Sequence, residues 1–216
     1  MNKQSLMRVY HKLVTHYGHQ DWWPADTVFE VMLGAILTQN TNWSNVEKAL
    51  NRLRQAHCLS ASCIDKKPHA QLAELIRSSG YFNIKAKRLK AYCHWYLQSG
   101  ELAALKKLTT QDLRQQLLGI HGVGPETADD ILLYAFHRPV FVIDAYTRRL
   151  FSRLGWVSGE EPYEVLRLEC QKRLGNDIAL FNEYHALLVM HGKETCRPKP
   201  RCSQCVLTRL CDAAEL

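Results

Sequence analysis

The sequence predicts an all-α protein, and three observations support this fold class. Apolar residues recur every three or four positions along most of the chain, which is the period of an amphipathic helix. Short polar or Gly/Pro-containing turns separate these stretches, and only Pro139–Ile143 has the pattern of a β-strand. The 216 residues are 46% hydrophobic and 23% charged, a composition typical of a folded globular protein. Disordered and fibrous proteins are therefore excluded.

The helices can be assigned in chain order from this period. Leu6, Val9 and Leu13 form the apolar face of the first helix. Thr27 and Glu30 have the spacing of a capping box, which predicts that a second helix begins there. Eight further periodic stretches bring the total to about ten helices: Val46–Leu53, Leu72–Ile76, Leu89–Leu97, Leu113–Leu117, Ala128–Ala135, Tyr146–Leu154, Val165–Leu174 and Ala186–Met190.

Hydropathy and charge indicate the environment of the protein. The apolar stretch Phe29–Leu37 is interrupted by Glu30 and is far shorter than the roughly 20 residues of a membrane-spanning helix. No apolar run follows the first residues, so we expect a cytoplasmic protein without a secretory signal. The net charge is +7, and seven basic side chains but one acidic one lie between Arg77 and Lys107. This excess predicts a polyanionic partner such as DNA, although a solvated helix face is the simpler alternative.

Four of the eight cysteines crowd the C-terminal region with the spacing C-x5-C-x2-C-x5-C. We expect the cysteines of a cytoplasmic protein to be reduced, and this crowding predicts a metal site. Four thiolates suit an iron–sulfur cluster or a zinc ion, and zinc sites more often pair two C-x2-C knuckles, so the spacing favours the cluster. The predicted ligands are Cys196, Cys202, Cys205 and Cys211. The same loop carries Arg197, Lys199 and Arg201, which we expect to contact DNA phosphates.

The segment Leu117–Ala128 predicts a helix-hairpin-helix. Gly122 and Gly124 allow a tight turn, and Pro125 fits the first position of the following helix. Backbone amides at that helix start can face a phosphate, and hairpin carbonyls can hold a monovalent cation against it. An ordinary corner between two helices is the alternative interpretation.

One carboxylate has a conspicuous position at a helix start. Asp144 follows the apolar run Val140–Ile143 and precedes a periodic stretch, so we expect it to cap the helix. Backbone amides at the cap would keep this carboxylate ionised and fixed in direction. Taken alone, a capping role explains the residue.

The order of these motifs resembles the endonuclease III family over nearly the whole chain. The hairpin Gly122–Gly124 is followed by Val142–Arg149 and then by His191–Lys193, which leads into the four cysteines. Two further segments, Leu37–Thr41 and Gly80–Ala86, are similar to the loops that helix-hairpin-helix glycosylases insert into the DNA duplex.

The resemblance implies a DNA glycosylase that binds double-stranded DNA containing a damaged base. It implies that Gln39 fills the space left by the flipped nucleotide and that Tyr81 wedges into the opposite strand. It also implies that Asp144 is catalytic and that the four cysteines hold one 4Fe–4S cluster. The DNA-contacting hairpin residues implied in the same way are Leu118, Ile120, Gly122, Val123 and Gly124.

The sequence differs from the family pattern at two places, one of which bears on the type of reaction and the other on the geometry of the cysteine loop. Glu126 stands where bifunctional members have a lysine nucleophile, and a carboxylate cannot form a Schiff base. This departure predicts a monofunctional enzyme without lyase activity. The first cysteine interval holds five residues where the family usually has six, which predicts a modified loop geometry.

The tryptophans indicate a substrate class. Asp21–Ala25 and Thr38–Trp43 resemble the 3-methyladenine DNA glycosylase III branch, which builds its base pocket from aromatic residues. A cationic methylated base between aromatic faces gains about 1–2 kcal/mol over a neutral base. Packing within the core is the alternative role for these tryptophans. The predicted pocket residues are Trp22, Trp23, Pro24, Trp43, Glu126 and Lys193.

We therefore predict a two-domain, monomeric DNA glycosylase with a cleft that holds Asp144. The predicted domains are a six-helix domain of residues 25–137, which contains the hairpin, and a cluster domain of residues 1–24 plus 138–216. The favoured substrate is an alkylated purine such as 3-methyladenine. Three alternatives stay open: a mismatch uracil, thymine or adenine glycosylase, a bifunctional glycosylase with lyase activity, and a non-catalytic DNA-binding module.

Overall fold

The computed structural model describes residues 1–214, which form twelve α-helices and no β-strand. The predicted all-α class is confirmed. Pro139–Ile143 forms neither a strand nor a helix, and its residues Val140–Ile143 are buried, so the β-like pattern reflects a buried connection. The helices are α1 (Lys3–Tyr17), α2 (Val28–Leu37), α3 (Trp43–Gln55), α4 (Ala61–Lys66), α5 (His69–Leu75), α6 (Phe82–Gln98), α7 (Glu101–Leu105), α8 (Thr110–Leu118), α9 (Pro125–Asp130), α10 (Ala145–Arg153), α11 (Tyr163–Leu174) and α12 (Ile178–Glu194).

Short helical turns extend this set. A 3-10 turn, Arg77–Ser79, precedes α6, and a π-helical segment, Ile131–Ala135, continues from α9. Two further 3-10 turns, Cys202–Gln204 and Thr208–Leu210, lie among the C-terminal cysteines. Searched over residues 1–214, no helix combines the length and apolar character needed to span a membrane.

The start of α2 follows the predicted capping pattern only in part. The hydroxyl of Thr27 accepts a hydrogen bond from the Glu30 amide at 3.2 Å, as an N-cap should. The Glu30 carboxylate is buried and pairs instead with Arg54 at 2.8 Å. Half of the predicted capping box is therefore formed, and the other half is replaced by an ion pair between α2 and α3.

The chain divides into two compact units. The first, here called the hairpin unit, spans Trp23–Phe136, and the second, here called the cysteine unit, joins residues 1–22 to the chain from His137 onward. In the hairpin unit, α2 is buried from Glu30 to Leu37 and packs against α6. In the cysteine unit, α1 and α10 both pack against α12.

The number of helices in the hairpin unit differs from the prediction. All residues of this unit are described, and they form eight α-helices, α2–α9, where we predicted six. The extra helices are short because Ser60 and Pro68 each start a new helix and Gly100, in a left-handed conformation, starts α7. These helix boundaries divide the hairpin unit into more helices than the spacing of its apolar residues predicts.

The expectation that every cysteine is reduced is wrong. Cys58 and Cys63 form a disulfide, with their Cα atoms 5.2 Å apart across the turn between α3 and α4. The turn brings two residues separated by five positions within bonding distance. Cys93 and Cys170 are buried free thiols, and burial raises the pKa of both.

Candidate functional site

The carboxylate of Asp144 is buried and held in a fixed orientation. As the N-cap of α10, its Oδ1 accepts a hydrogen bond from the Thr147 amide at 2.7 Å. Its Oδ2 lies 3.6 Å from Nε2 of His185, a buried residue of α12. The side chain of Asp144 therefore bridges the start of α10 and the middle of α12.

The surroundings keep this carboxylate charged. Burial by itself would raise the pKa of Asp144, but His185 and the Thr147 amide outweigh burial and lower the pKa below its ordinary value. The carboxylate is consequently ionised at neutral pH although only 7% of the residue is exposed. A buried, fixed negative charge can stabilise a positive charge that develops on a substrate.

Trp22 and Lys193 lie beside this carboxylate in the cysteine unit. The ring of Trp22 lies 6.1 Å from the ring of His185, and the Lys193 ammonium lies 5.6 Å from the centre of the Trp22 ring. Burial lowers the pKa of Lys193, while Asp144 acts in the opposite direction. The structure thus brings the predicted residues Trp22, Lys193 and Asp144 together and adds His185.

The remaining predicted pocket aromatics form a separate cluster in the hairpin unit. The ring of Trp23 packs edge-on against that of Trp43, with centres 5.2 Å apart, and in a tilted arrangement against that of Tyr134, with centres 4.9 Å apart. A Cβ atom at Gly34 would lie 3.1 Å from Trp23 and 3.3 Å from Trp43, so a larger residue there would require both rings to shift slightly. Trp22 belongs to the other unit, and Pro24 is exposed.

Gln39 is hydrogen-bonded to the hairpin. Its amide nitrogen donates to the Gly122 carbonyl at 3.1 Å and to the Thr127 hydroxyl at 2.8 Å. Its amide oxygen accepts a hydrogen bond from Arg88 of α6. The loop after α2 is therefore attached to the helix-hairpin-helix in the free protein.

The hairpin follows the sequence prediction in its local geometry. Gly122 has a φ of 85°, a left-handed conformation, and a Cβ atom there would clash with the Arg88 side chain. Gly124 is the N-cap of α9, and Pro125 is its first residue. Ile120 and Val123 are buried, whereas Leu118 is 37% exposed. The glycine backbone at Gly124 is exposed, and the exposed side chains of the turn are those of Leu118 and His121.

Tyr81 and Glu126 are exposed residues at two helix starts of the same unit. Tyr81 precedes α6 in a left-handed conformation with a φ of 45°, and 67% of its surface is exposed. Glu126 occupies the first turn of α9. The side chain of Tyr81 is accessible to a partner.

The predicted metal ligands line one cavity of the cysteine unit. Leu150, Arg153 and His191 contribute to the same cavity. Arg153 donates to the Cys196 sulfur at 3.2 Å and to the Pro198 carbonyl at 3.0 Å. Across residues 1–214, no three His, Cys, Asp or Glu side chains meet the geometry of a single metal-ion site. The four cysteines on the cavity wall are Cys196, Cys202, Cys205 and Cys211.

The basic residues of the cysteine loop and those of the segment Arg77–Lys107 differ in their exposure to solvent. Arg197, Lys199 and Arg201 are exposed on the cysteine loop, as a phosphate contact requires. In the segment Arg77–Lys107, by contrast, Lys85 is buried, so the local positive excess is not one continuous surface.

The sequence alone does not identify the buried polar residues His185 and Lys85. His185 lies in the apolar helix α12, where a histidine alone gives no ligand pattern, and Lys85 lies in α6 close to the predicted wedge. Only the buried position of each side chain, and the partner it meets there, distinguishes it from a surface residue.

Comparison with known protein families identifies the family of this chain. The model of the HhH-GPD superfamily base excision DNA repair proteins matches residues 33–176. The chain belongs to this family. The resemblance to endonuclease III is confirmed, and the family assignment identifies a DNA glycosylase.

Relatives and solved structures agree with this assignment. A Methanocaldococcus jannaschii protein named "Putative DNA repair glycosylase" is 45% identical over 212 residues, with 96% of each chain covered. Endonuclease III of Sulfolobus acidocaldarius is 31% identical over 85% of this chain and 81% of its own. The crystal structure of H. pylori 3-methyladenine DNA glycosylase bound to 1,N6-ethenoadenine is 28% identical, with a TM-score of 0.79 over 90% of this chain and 98% of that one. A non-covalent endonuclease III–DNA complex, 20% identical with a TM-score of 0.84 over 99% of this chain and 97% of that one, shares the fold.

Proposed function

We propose that this glycosylase is monofunctional and hydrolyses the N-glycosidic bond of an alkylated purine, such as 3-methyladenine, in double-stranded DNA. The single observation that carries the proposal is the buried, ionised carboxylate of Asp144. The similarity to the H. pylori 3-methyladenine DNA glycosylase supports the substrate class.

Cleavage of the glycosidic bond of a methylated purine requires little catalytic assistance from the protein. A purine methylated at N3 or N7 carries positive charge, so its glycosidic bond is already weakened. As the bond between C1′ and the base breaks, the electron pair leaves with the base and positive charge develops on the sugar. The base takes the electron pair and leaves as a neutral molecule. The Asp144 carboxylate stabilises the charge on the sugar and orients a water molecule, whose oxygen bonds to C1′ while one of its protons passes to solvent.

A cationic base can be selected by aromatic faces. The ring of Trp22, which lies 6.1 Å from the His185 ring, supplies such a face, and stacking favours a cationic base over a neutral one by about 1–2 kcal/mol. Lys193 is an exposed residue whose ammonium lies 5.6 Å from the centre of the Trp22 ring, and partial burial lowers its pKa.

Three surfaces of the hairpin unit would contact the DNA. The hairpin around Gly122 and Gly124 would bind a phosphate through backbone amides, with a monovalent cation held by hairpin carbonyls. Gln39 would replace the extruded nucleotide, and the exposed Tyr81 would wedge into the opposite strand. Extrusion costs a few kcal/mol, which these insertions offset in part.

The four cysteines fit a 4Fe–4S cluster by their donor chemistry. They line a single cavity, and hydrogen bonds reach two of the sulfurs, one from Arg153 to Cys196 and one from the Leu207 amide to Cys205 at 3.4 Å. Such a cluster would supply structural cohesion to the loop and no step of the hydrolysis. The loop would then present Arg197, Lys199 and Arg201 to the phosphates of a DNA duplex, bound by one copy of the protein.

Release of free base from a panel of duplexes tests the proposal. The panel contains alkylated DNA, uracil and thymine mismatches with guanine, and adenine opposite an oxidised guanine. We expect release of 3-methyladenine, with slower release of 7-methylguanine. Release of uracil, thymine or adenine without release of methylated purines would contradict the substrate class, and binding without any release would contradict catalysis.

A further inference from the structure

A buried lysine lies beneath the two loops assigned to DNA insertion. Lys85 is in the first turn of α6, and only 1% of its surface is exposed. Its ammonium donates to the Leu37 carbonyl at 2.8 Å and to the Ser79 carbonyl at 2.5 Å. Burial, together with the positive charge of nearby Arg88, lowers its pKa to about 8. Burying an ammonium in this way is costly, so its role must be one that an apolar side chain cannot fill.

The two carbonyls explain why a cation is needed. Leu37 is the last residue of α2, and Ser79 is the last residue of the 3-10 turn before α6. Carbonyls at helix ends lack partners within the helix, and an unpaired buried carbonyl destabilises the fold. A single ammonium group bonds both carbonyls, which ties the ends of two separate helical segments to one atom.

Each carbonyl lies two residues before a side chain assigned to DNA insertion. Gln39 follows Leu37 by two positions, and Tyr81 follows Ser79 by two positions. The left-handed backbone of Tyr81, at a φ of 45°, is unfavourable for a residue with a Cβ atom and must be held by its surroundings. Lys85 meets this requirement because it fixes the chain just before Tyr81.

We propose that Lys85 is a positioning residue that holds the Gln39 and Tyr81 loops at one spacing, so that both enter the DNA duplex together. This inference rests on the proposed function, in which both side chains replace or separate bases. The coupling extends to the hairpin, because Gln39 also donates to the Gly122 carbonyl. The spacing of three DNA-facing segments is thereby set within a single unit.

The substitution Lys85→Met tests the coupling because it keeps the length of the side chain and removes its hydrogen-bond donors. Lys90→Met is the matched control. Lys90 is also in α6 and also donates to backbone carbonyls, but its partners are Ile64, Asp65 and Lys67 rather than residues next to the Gln39 and Tyr81 loops. Amide hydrogen exchange in the free protein needs no substrate. We expect exchange of residues 38–41 and 79–82 to rise together by about tenfold or more in Lys85→Met and to stay unchanged in Lys90→Met.

A second measurement uses the wild-type protein and so does not depend on the folding of a variant. Under mild denaturant, amides of both loops should exchange through one opening reaction, with the same free energy and the same denaturant dependence. Unchanged protection in Lys85→Met, or loss of protection in one loop alone, would overturn the proposal. Separate opening reactions in the wild type would overturn it as well.

Measurements of enzyme activity distinguish a positioning role of Lys85 from a purely structural role. Lys85→Met should lower kcat for base release by about tenfold in the wild-type background but by less than about threefold when Gln39 and Tyr81 are both alanine, since coupled residues do not act additively. Equal losses in both backgrounds would contradict the coupling. If the wild type releases no base while both loops lose protection together in Lys85→Met, the proposed function fails and the positioning role of Lys85 stands.

Discussion

Replacing Asp144 with Asn is the most direct test of the proposed chemistry. Asparagine keeps the size of the side chain and caps helices as well as aspartate, so its oxygen can still accept the Thr147 amide. The substitution removes the negative charge and leaves the backbone of α10 capped. Any loss of base release then reports the charge rather than the fold.

The magnitude follows from the burial of the site. Two unit charges about 4 Å apart interact by about 4 kcal/mol at an effective dielectric constant of 20. The sugar carries only part of a unit charge at the transition state, so we assign about 2.7 kcal/mol to Asp144, which corresponds to about a hundredfold in rate. This is also the lower end of the effect of removing one preorganised electrostatic group from an active site.

The assay measures single-turnover base release from alkylated duplex DNA, alongside DNA affinity. Asp144→Asn should lose at least about a hundredfold in rate with nearly unchanged affinity. Asp177→Asn is the matched control, because Asp177 also caps a helix, accepting the Leu180 amide at 3.0 Å, but is exposed. Retained activity in Asp144→Asn would refute the reasoning and would show that Asp144 acts only as a helix cap.

The pH dependence provides an independent check on the same residue. The pKa of Asp144 in the folded protein lies below the ordinary value for an aspartate, because the effects of His185 and of the Thr147 amide outweigh the effect of burial. Its contribution to stability is fully present above the unfolded pKa and is lost as the pH falls through the lowered folded pKa. The wild type should therefore lose more stability on acidification than Asp144→Asn does, as measured by thermal unfolding from pH 6 to about pH 3.

Two further predictions concern the cofactor and the reaction type. The purified protein should be yellow-brown with about four iron atoms per chain, and Cys205→Ser should lose the colour and the thermal stability together; one zinc and no iron, or a metal-free folded protein, would contradict the cluster. The protein should leave abasic sites intact, with no complex trapped by borohydride, and Glu126→Lys should introduce weak strand cleavage because it supplies an amine; a trapped adduct in the wild type that disappears in Lys193→Ala would contradict the monofunctional assignment.

The features predicted most reliably from sequence depend on local backbone chemistry. The hairpin could be recognised because Gly122 needs a left-handed conformation and Pro125 fits only the first turn of a helix. The cap at Asp144 follows from a short polar residue placed between an apolar run and a periodic stretch. The fold class follows in the same way from the helical period of the apolar residues.

The features that sequence reasoning missed depend on partners distant in the chain. His185 meets Asp144 across 41 positions, and Lys85 meets Leu37 across 48. No local pattern distinguishes these residues from the other histidines and lysines of the chain. The disulfide between Cys58 and Cys63 was missed for another reason, since the expected reducing compartment argued against any pairing.

Gln39 must break its hydrogen bonds to the hairpin before its side chain can insert into DNA. In the free protein its amide already donates to the Gly122 carbonyl and the Thr127 hydroxyl, and it accepts from Arg88. To fill the space of an extruded nucleotide, the side chain must exchange these bonds for bonds to the orphaned base. The exchange satisfies Gln39 but leaves the Gly122 carbonyl, the buried Thr127 hydroxyl and Arg88 without this partner, at a cost of about 1–3 kcal/mol for each buried group that water does not reach. The backbone of the loop need not move with it, because Lys85 holds that backbone at Leu37, and the side chain rather than the loop responds to the damaged site.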